Sequence, residues 1–102
     1  MNIGIDIVDC ERVAGIVNEK VFSAEELTYI EQKKQALPTI AGLCAAKEAY
    51  FKAKGTGIIK SELPKIVVGH DENGQPFFFY VTHAMLSISH TGAIALAVCI
   101  IF

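Results

Sequence analysis

Residues 45–57 read AAKEAYFKAKGTG, a stretch that predicts the last turns of a long helix followed by a glycine-rich turn. When this helix is extended back to about Leu37, its apolar residues fall on one stripe. The stripe consists of Leu37, Ile40, Ala41, Cys44 and Phe51. Glu48 falls in the middle of this stripe, and Lys52 lies one helical turn further along.

Glu48 has two interpretations. A carboxylate on a buried face needs a metal, a cation or a proton, because an unpaired buried charge is costly. Alternatively, Glu48 and Lys52 form an exposed ion pair at i,i+4 spacing on a wide helix face. The turn Gly55-Thr56-Gly57 allows positive φ angles and would let a ligand approach the backbone, although a simple helix cap explains the same glycines.

The composition is that of one small domain, residues 1–102. Hydrophobic residues make up 52% of the chain, which is more than so small a core can bury, so we expect a homo-oligomer. The net charge is −2, from 9 basic and 11 acidic residues. This balance argues against a nucleic-acid partner but leaves room for a local basic patch that meets an acidic protein.

The cysteines Cys10, Cys44 and Cys99 are odd in number and form no CxxC or Cys/His cluster. This spacing favours reduced thiols in a cytoplasmic protein over a disulfide framework or a zinc site. The N-terminal residues lack the pattern of a secretory signal, and the apolar run 93–102 is too short to cross a bilayer as a helix. We therefore expect no membrane partner.

The remaining segments predict an α+β fold in which helices pack on a largely antiparallel sheet. Strands are predicted at residues 2–8, 65–70, 76–82, 86–90 and 94–102, with an Asn73-Gly74 hairpin turn after the second strand. A short amphipathic segment follows the first strand. A helix then begins at Ser23, whose capping box with Glu26 has a structural role.

Two strands carry further expectations. On residues 2–8, Ile3, Ile5 and Ile7 share one face, while Asp6 shares the other with Gly4 and Val8. Asp6 either faces water at a sheet edge or is a functional carboxylate on a rigid element. The last strand is apolar on both faces, so we expect it to be central, with its small side chains (Ala95, Ala97, Cys99) meeting a neighbouring subunit.

Three polar groups interrupt these apolar patterns: Asp6, the pair Glu48 and Lys52, and the run Ser89-His90-Thr91. Two carboxylates without cysteine or histidine partners suit a hard cation such as Mg²⁺. A glycine turn and a nearby lysine would bind the phosphates of a substrate. Spacing alone therefore indicates a phosphate-handling metal site and names no substrate.

Three blocks of sequence together resemble the holo-acyl-carrier-protein synthase family, the small single-unit phosphopantetheinyl transferases. They are Gly4-Ile5-Asp6-Ile7-Val8 with Arg12, then Ala46-Lys47-Glu48-Ala49 with Lys52-Ala53 and Gly55-Thr56-Gly57, then Ser87-Ile88-Ser89-His90 with Ala95 and Ala97. The blocks occur in order and span the chain from Ile3 to the last strand.

The resemblance implies transfer of the phosphopantetheine arm from coenzyme A to a serine of an apo acyl carrier protein, with adenosine 3′,5′-bisphosphate as the other product. It implies that Asp6 and Glu48 hold Mg²⁺ and that Lys52 contacts phosphate. The turn Gly55-Thr56-Gly57 and the run Ser89-His90-Thr91 would lie near the nucleotide, and Arg12 and Lys20 would face the acidic carrier protein. It also implies a trimer with active sites between subunits.

The chain departs from the family at Leu43 and Cys44, where the family usually has an arginine and an aromatic residue; a phosphate contact is thereby lost. The sequence leaves open which group takes the serine proton; a carboxylate, Glu48 acting directly or through a metal-bound water, is the local candidate. Two other functions remain open. The chain could be a non-catalytic module that binds coenzyme A or a carrier protein, or a Mg²⁺-dependent hydrolase of a small phosphate ester.

Overall fold

A 19-residue helix crosses one face of a three-stranded antiparallel sheet, and these two layers position the candidate site. The computed structural model describes residues 1–102. Its elements are β1 (Asn2–Asp9), α1 (Ala24–Glu31), α2 (Ala36–Lys54), β2 (Val68–His70), β3 (Pro76–Phe78), β4 (Ala84–Thr91) and β5 (Ile94–Ile101), with 3-10 turns at Cys10–Val13 and Lys60–Lys65. The expected α+β class is confirmed.

The main sheet has the order β1-β5-β4, so the apolar last strand is central as predicted. Its small side chains, however, do not face outward. Ala95, Ala97 and Cys99 are completely buried on the face that packs beneath α2. The expectation that this face meets a neighbouring subunit is therefore wrong, because small side chains are what lets the helix lie close to the sheet.

The opposite face of the sheet is the open one. Ile3, Ile5 and Ile7 are 67%, 55% and 60% exposed, and β5 adds Leu96, Val98 and Ile100 beside them. We call these six residues the outer apolar face. Exposed apolar surfaces of this kind are typical of sites that contact another molecule.

The prediction of a single apolar stripe on α2 is also wrong. Every residue from Ile40 to Lys47 is buried, because the sheet covers one side of the helix while α1, β2 and the Cys10–Val13 turn cover the others. The helix ends as expected at Gly55, whose φ of 75° is the left-handed conformation of a C-terminal cap. No helix of the structure combines the length and the apolar character needed to cross a membrane.

The predicted capping box of α1 is present: the Ser23 hydroxyl accepts from the Glu26 amide, and the Glu26 carboxylate accepts from the Ser23 amide. The amphipathic segment after β1 is a short 3-10 turn rather than a helix.

The small hairpin β2–β3 is shorter than predicted, because β2 begins later and β3 ends earlier than expected. The amide of Ile66 is used by the 3-10 turn before it, where it donates to the carbonyls of Glu62 and Leu63, so the strand begins only at Val68. After Phe78, the positive φ of Tyr80 (65°) ends the strand. In the hairpin loop only Gly74 has positive φ, because the Asp71 carboxylate accepts from the Asn73 and Gln75 amides and fixes the loop instead.

Gly4 sets the distance between β1 and α2. A β-carbon at this position would overlap the carbonyl oxygen of Ala49 and lie 2.5 Å from the backbone nitrogen of Ala53. Both contacts are backbone atoms of α2, so neither can move aside. The absence of a side chain at Gly4 thus lets Asp6, two residues along the same face, reach α2.

Gly4→Ala is predicted to destabilise the protein by about 1–3 kcal/mol, as overpacking of a core does, and to lower activity further than this loss of stability explains. The reason is that β1 must move away from α2 and carries Asp6 with it. Thermal unfolding and an activity assay well below the melting temperature separate the two effects. Gly15→Ala is the matched control, since a β-carbon there meets nothing within 4 Å. Equal behaviour of the two variants would contradict the prediction.

Candidate active site

Asp6 and Lys52 meet at the contact between β1 and α2. The Nζ atom of Lys52 lies 3.0 Å from Oδ1 of Asp6 and donates a hydrogen bond to it. Asp6 is nearly buried because it points from β1 toward the helix, whereas the Lys52 side chain is 55% exposed. The lysine therefore joins a buried carboxylate to the protein surface.

The second oxygen of Asp6 is the unusual feature of this site. Oδ2 is buried and has no hydrogen-bond partner, alone among the buried side-chain oxygen and nitrogen atoms of the chain. A buried carboxylate oxygen without a partner costs free energy, so such atoms are rare in proteins unless a ligand satisfies them. A cation, or a proton shared with Glu48, would satisfy this oxygen.

Glu48 supplies a second carboxylate at the same place. Its pKa is raised to about 7, first by burial and then by the neighbouring Asp6 carboxylate, while Lys52 and Arg12 act in the opposite direction. Two carboxylates that share a site cannot both ionise easily unless a cation lies between them. The structure thus brings together Asp6, Glu48 and Lys52, the residues predicted to carry the chemistry.

The two carboxylates fit a magnesium ion. Mg²⁺ prefers oxygen ligands and is usually held by one or two carboxylates, with water and substrate phosphates completing its shell. No third histidine, cysteine, aspartate or glutamate joins Asp6 and Glu48, so the protein builds no closed metal cage. A metal held by these two carboxylates would have its other coordination positions free for water and substrate phosphates.

A cleft of about 230 Å³ opens beside Glu48. Most of its lining is apolar and comes from β1, the segment after β1, and the chain between α2 and β2. Ile7, Val8, Val13, Ile16, Val21, Ile58 and Leu63 form this apolar lining. Arg12 lies on its wall, and an adjoining cleft that shares Glu48 adds Lys20 and Lys60. Both residues predicted to face an acidic partner thus border the space next to Glu48.

The two glycines in the turn after α2, Gly55 and Gly57, have different roles. Gly55 caps the helix, and its amide donates to the carbonyls of Lys52 and Phe51. Gly57 also has a positive φ of 70°, although it is outside the cap. Both glycines and Thr56 are exposed, and the Thr56 hydroxyl donates to the Gly57 carbonyl at 3.0 Å. The backbone here is open to a ligand next to Lys52.

Gly57→Val is predicted to raise the Michaelis constant for a phosphate-bearing substrate far more than it lowers stability. A β-branched residue at positive φ changes the turn, at a cost of about 1–2 kcal/mol in the left-handed region. Gly74→Val measures that cost alone, since Gly74 also has positive φ and open space around it. If the loss of stability at Gly57 accounts for the whole change in activity, the turn is only structural.

The run Ser89-His90-Thr91 lies elsewhere in the chain. It is on β4, which is separated from β1 by the whole width of β5. His90 lines a second cleft of about 190 Å³ together with Pro38, Thr39 and His70, while Ser89 and Thr91 point to the other face of the sheet. Within one chain, the structure does not bring these residues to Asp6 and Glu48.

Lys47 is a functional candidate that sequence reasoning missed. It is completely buried and lines the cleft beside Glu48, and its ammonium pairs with Glu26 at 2.6 Å. The signal in the sequence was the capping glutamate itself. A capping box uses one oxygen of Glu26, so the other acceptor positions of a buried carboxylate had to find donors.

Comparisons with known proteins agree with this geometry. Residues 2–99 match the family model described as the 4′-phosphopantetheinyl transferase superfamily. The chain is therefore a member of this superfamily of transferases.

Curated relatives narrow the class. The chain is 38% identical over 98 residues to the holo-[acyl-carrier-protein] synthase of Treponema denticola, covering 90% of this chain and 80% of the relative. It is 38% identical over 112 residues to the enzyme of that name from Nautilia profundicola, covering 97% of both chains. The chain therefore belongs to the holo-[acyl-carrier-protein] synthase family.

Solved structures show the same architecture. A holo-(acyl-carrier-protein) synthase from Bacillus anthracis, in complex with CoA (3′,5′-ADP), superposes with a TM-score of 0.87 at 34% identity, covering 98% of this chain and 94% of that one. The synthase from Helicobacter pylori in complex with coenzyme A gives a TM-score of 0.81 at 30% identity, covering 98% and 99%. Both relatives bind coenzyme A or a part of it.

Proposed function

We propose that the chain transfers the phosphopantetheine arm of coenzyme A to a serine of an apo acyl carrier protein, with Mg²⁺ held by Asp6 and Glu48. The observation that carries this proposal is the unpaired, buried Oδ2 of Asp6 next to Glu48 and Lys52. In a chain of this family, a metal bound to the coenzyme A pyrophosphate would supply the missing partner.

The reaction is a phosphoryl-type transfer. The serine oxygen forms a bond to the phosphorus that carries the pantetheine arm, while the bond from that phosphorus to the bridging oxygen breaks and adenosine 3′,5′-bisphosphate leaves. When bound, Mg²⁺ supplies charge that stabilises the pyrophosphate and its leaving group. The half-exposed Lys52 ammonium adds a second positive charge for the phosphates.

Glu48 is the candidate base for the serine proton. Its carboxylate borders the adjoining cleft of Lys20 and Lys60, from which the serine would arrive. Asp6, which accepts a hydrogen bond from Lys52, would share the metal with Glu48. The proton leaves the serine oxygen for Glu48, directly or through a water.

The carrier protein would approach from the basic rim of the clefts. Three exposed basic residues surround the space beside Glu48: Arg12, Lys20 and Lys60. The family resemblance implies that the carrier protein is acidic. Complementary charge speeds encounter and fixes orientation. Leu43, at the position of the family's arginine, is buried and offers the nucleotide no charge.

The single domain of residues 1–102 would work as a homotrimer. The outer apolar face supplies a surface for assembly, and the separation of His90 from Asp6 within one chain supports a site completed by a neighbouring subunit. Gly55-Thr56-Gly57 of one subunit and Ser89-His90-Thr91 of another would then lie near the same nucleotide. The three free thiols support a reducing cytoplasmic location.

One assay tests the function against its alternatives. The protein is incubated with coenzyme A, Mg²⁺ and an apo acyl carrier protein, and the carrier is followed by mass spectrometry. We expect the carrier to gain the phosphopantetheine arm, and a carrier whose acceptor serine is replaced by alanine to gain nothing. Binding without modification would identify a non-catalytic module, and release of nucleotide without a carrier would identify a hydrolase.

A further inference from the structure

Glu26 and Lys47 form a completely buried ion pair that the transfer chemistry does not use. The Lys47 ammonium donates to Oε1 of Glu26 at 2.6 Å, to the carbonyl of Leu63 at 2.7 Å and to the carbonyl of Ile66 at 2.8 Å. All three of its protons are therefore used. Such a fully satisfied pair has little freedom to rearrange.

The carboxylate is equally well satisfied. Oε1 of Glu26 also accepts from the Ser23 amide, and Oε2 accepts from the Val68 amide at 2.9 Å. The pair thereby joins the start of α1, the middle of α2, the 3-10 turn at Lys60–Lys65 and the first residue of β2. Four separate pieces of chain meet at two side chains.

The piece that most needs these bonds is the segment 58–66, between the glycine turn and β2. It makes no pairing with either sheet. Lys47 holds it through two carbonyls at the end of its 3-10 turn, and Ile58 and Leu63 of this segment are walls of the cleft beside Glu48. The position of one cleft wall is thus set by a lysine adjacent to Glu48 in sequence.

We propose that the Glu26–Lys47 pair is a positioning device, which holds segment 58–66 as a wall of the cleft, and that this cleft receives the pantetheine arm of coenzyme A. The inference rests on the proposed function. The arm is attached to the phosphorus that reacts beside Asp6 and Glu48, and the largely apolar cleft of about 230 Å³ begins at Glu48. The methylene and dimethyl groups of the arm match its apolar lining.

A buried ion pair is a poor source of net stability, because the cost of desolvating two charges offsets their attraction. Its value lies in geometry, since the two carbonyls of segment 58–66 can bind the ammonium only in one arrangement. Lys47 and Glu26 act through that segment and touch no reacting atom. They are positioning residues.

The test is the double variant Glu26→Gln/Lys47→Met, which removes both charges and leaves neither buried alone. The Michaelis constant for coenzyme A should rise about tenfold, because the displaced cleft wall no longer contacts the pantetheine arm. The inhibition constant of adenosine 3′,5′-bisphosphate, which lacks the arm, should stay within about a factor of two. A purely structural role would change both constants together or neither.

Lys65→Met is the matched control, because it removes an exposed lysine from the same 3-10 turn. It should leave both constants unchanged. If the double variant does not fold, Ile58→Ala is measured instead, because Ile58 is a half-exposed wall of the same cleft and its truncation leaves the buried ion pair intact. The same selective rise, smaller in size, is expected there.

An unchanged Michaelis constant for coenzyme A in a folded variant, or a parallel rise of both constants, would overturn the positioning role. Failure of the proposed function has a different result: the wild-type protein would leave the carrier unmodified in the assay above. The two failures are therefore distinguishable.

Discussion

Asp6→Ala and Glu48→Ala should each abolish transfer of the phosphopantetheine arm while the protein stays folded. Each substitution removes one of the two carboxylates that would hold Mg²⁺, and losing a catalytic metal or its charge stabilisation lowers turnover by a factor of about 10²–10³ or more. The fold should survive because the two neighbouring carboxylates repel each other and the one ion pair that Asp6 makes is with the half-exposed Lys52.

Turnover is measured as a function of Mg²⁺ concentration, and circular dichroism and thermal unfolding check the fold. Asp9→Ala is the control on the same strand, where the carboxylate is exposed and only caps the 3-10 turn that follows. Near-normal activity of Asp6→Ala at ordinary Mg²⁺ concentration would show that the metal assignment is wrong. Unfolding of both alanine variants would show that the two carboxylates are needed for the fold itself.

The central part of this site could be predicted from the sequence because its residues contradict local patterns. Asp6 interrupts a run of β-branched residues in a strand, and Glu48 lies where the helical period places apolar residues. Such conflicts are read within one strand or one helix. The spacing of Glu48 and Lys52 needs only the geometry of that helix.

Relations between distant segments could not be predicted in the same way. The burial of Lys47 depends on Glu26, 21 residues earlier, and on two carbonyls of a 3-10 turn. The placement of His90 depends on the order of strands in the sheet. Neither relation leaves a periodic signal in the chain.

The strand β1 shows the same limit. Alternation predicts two faces but does not say which one is inside. The isoleucines would be expected to face the core, yet the contact of Gly4 with the backbone of α2 requires the other face to be inward. The isoleucines therefore lie on the outer apolar face, where a neighbouring subunit could cover them.

Val98→Glu should dissociate the proposed trimer and abolish transfer together. Val98 is on the outer face of the central strand, where its neighbours across the sheet are Ile5 and Ser87. Burial of apolar surface contributes about 25 cal/mol per Å², so a few hundred Å² from each subunit would stabilise the assembly by several kcal/mol before the costs of association. A carboxylate in the middle of that surface would have to be buried without a partner.

The position of the charge decides what this experiment measures. Ala97→Glu is unsuitable, because Ala97 is completely buried beneath α2 and the substitution would disrupt the core of a single chain. Val98 is only partly buried within the chain, so its substitution leaves that core intact. Thr28→Glu, on the exposed side of α1, is the control for an added charge and should change neither mass nor activity.

Light scattering coupled to size-exclusion chromatography, with transfer assayed on the same fractions, measures both consequences at once. We expect the wild-type protein to elute as an active trimer and the Val98→Glu protein as a folded, inactive monomer. Loss of activity follows from dissociation because Glu48 borders one cleft while His90 lines another, and because β5 separates the strand of Asp6 from the strand of His90. An active monomer at dilute concentration would refute both the assembly and the site shared between subunits.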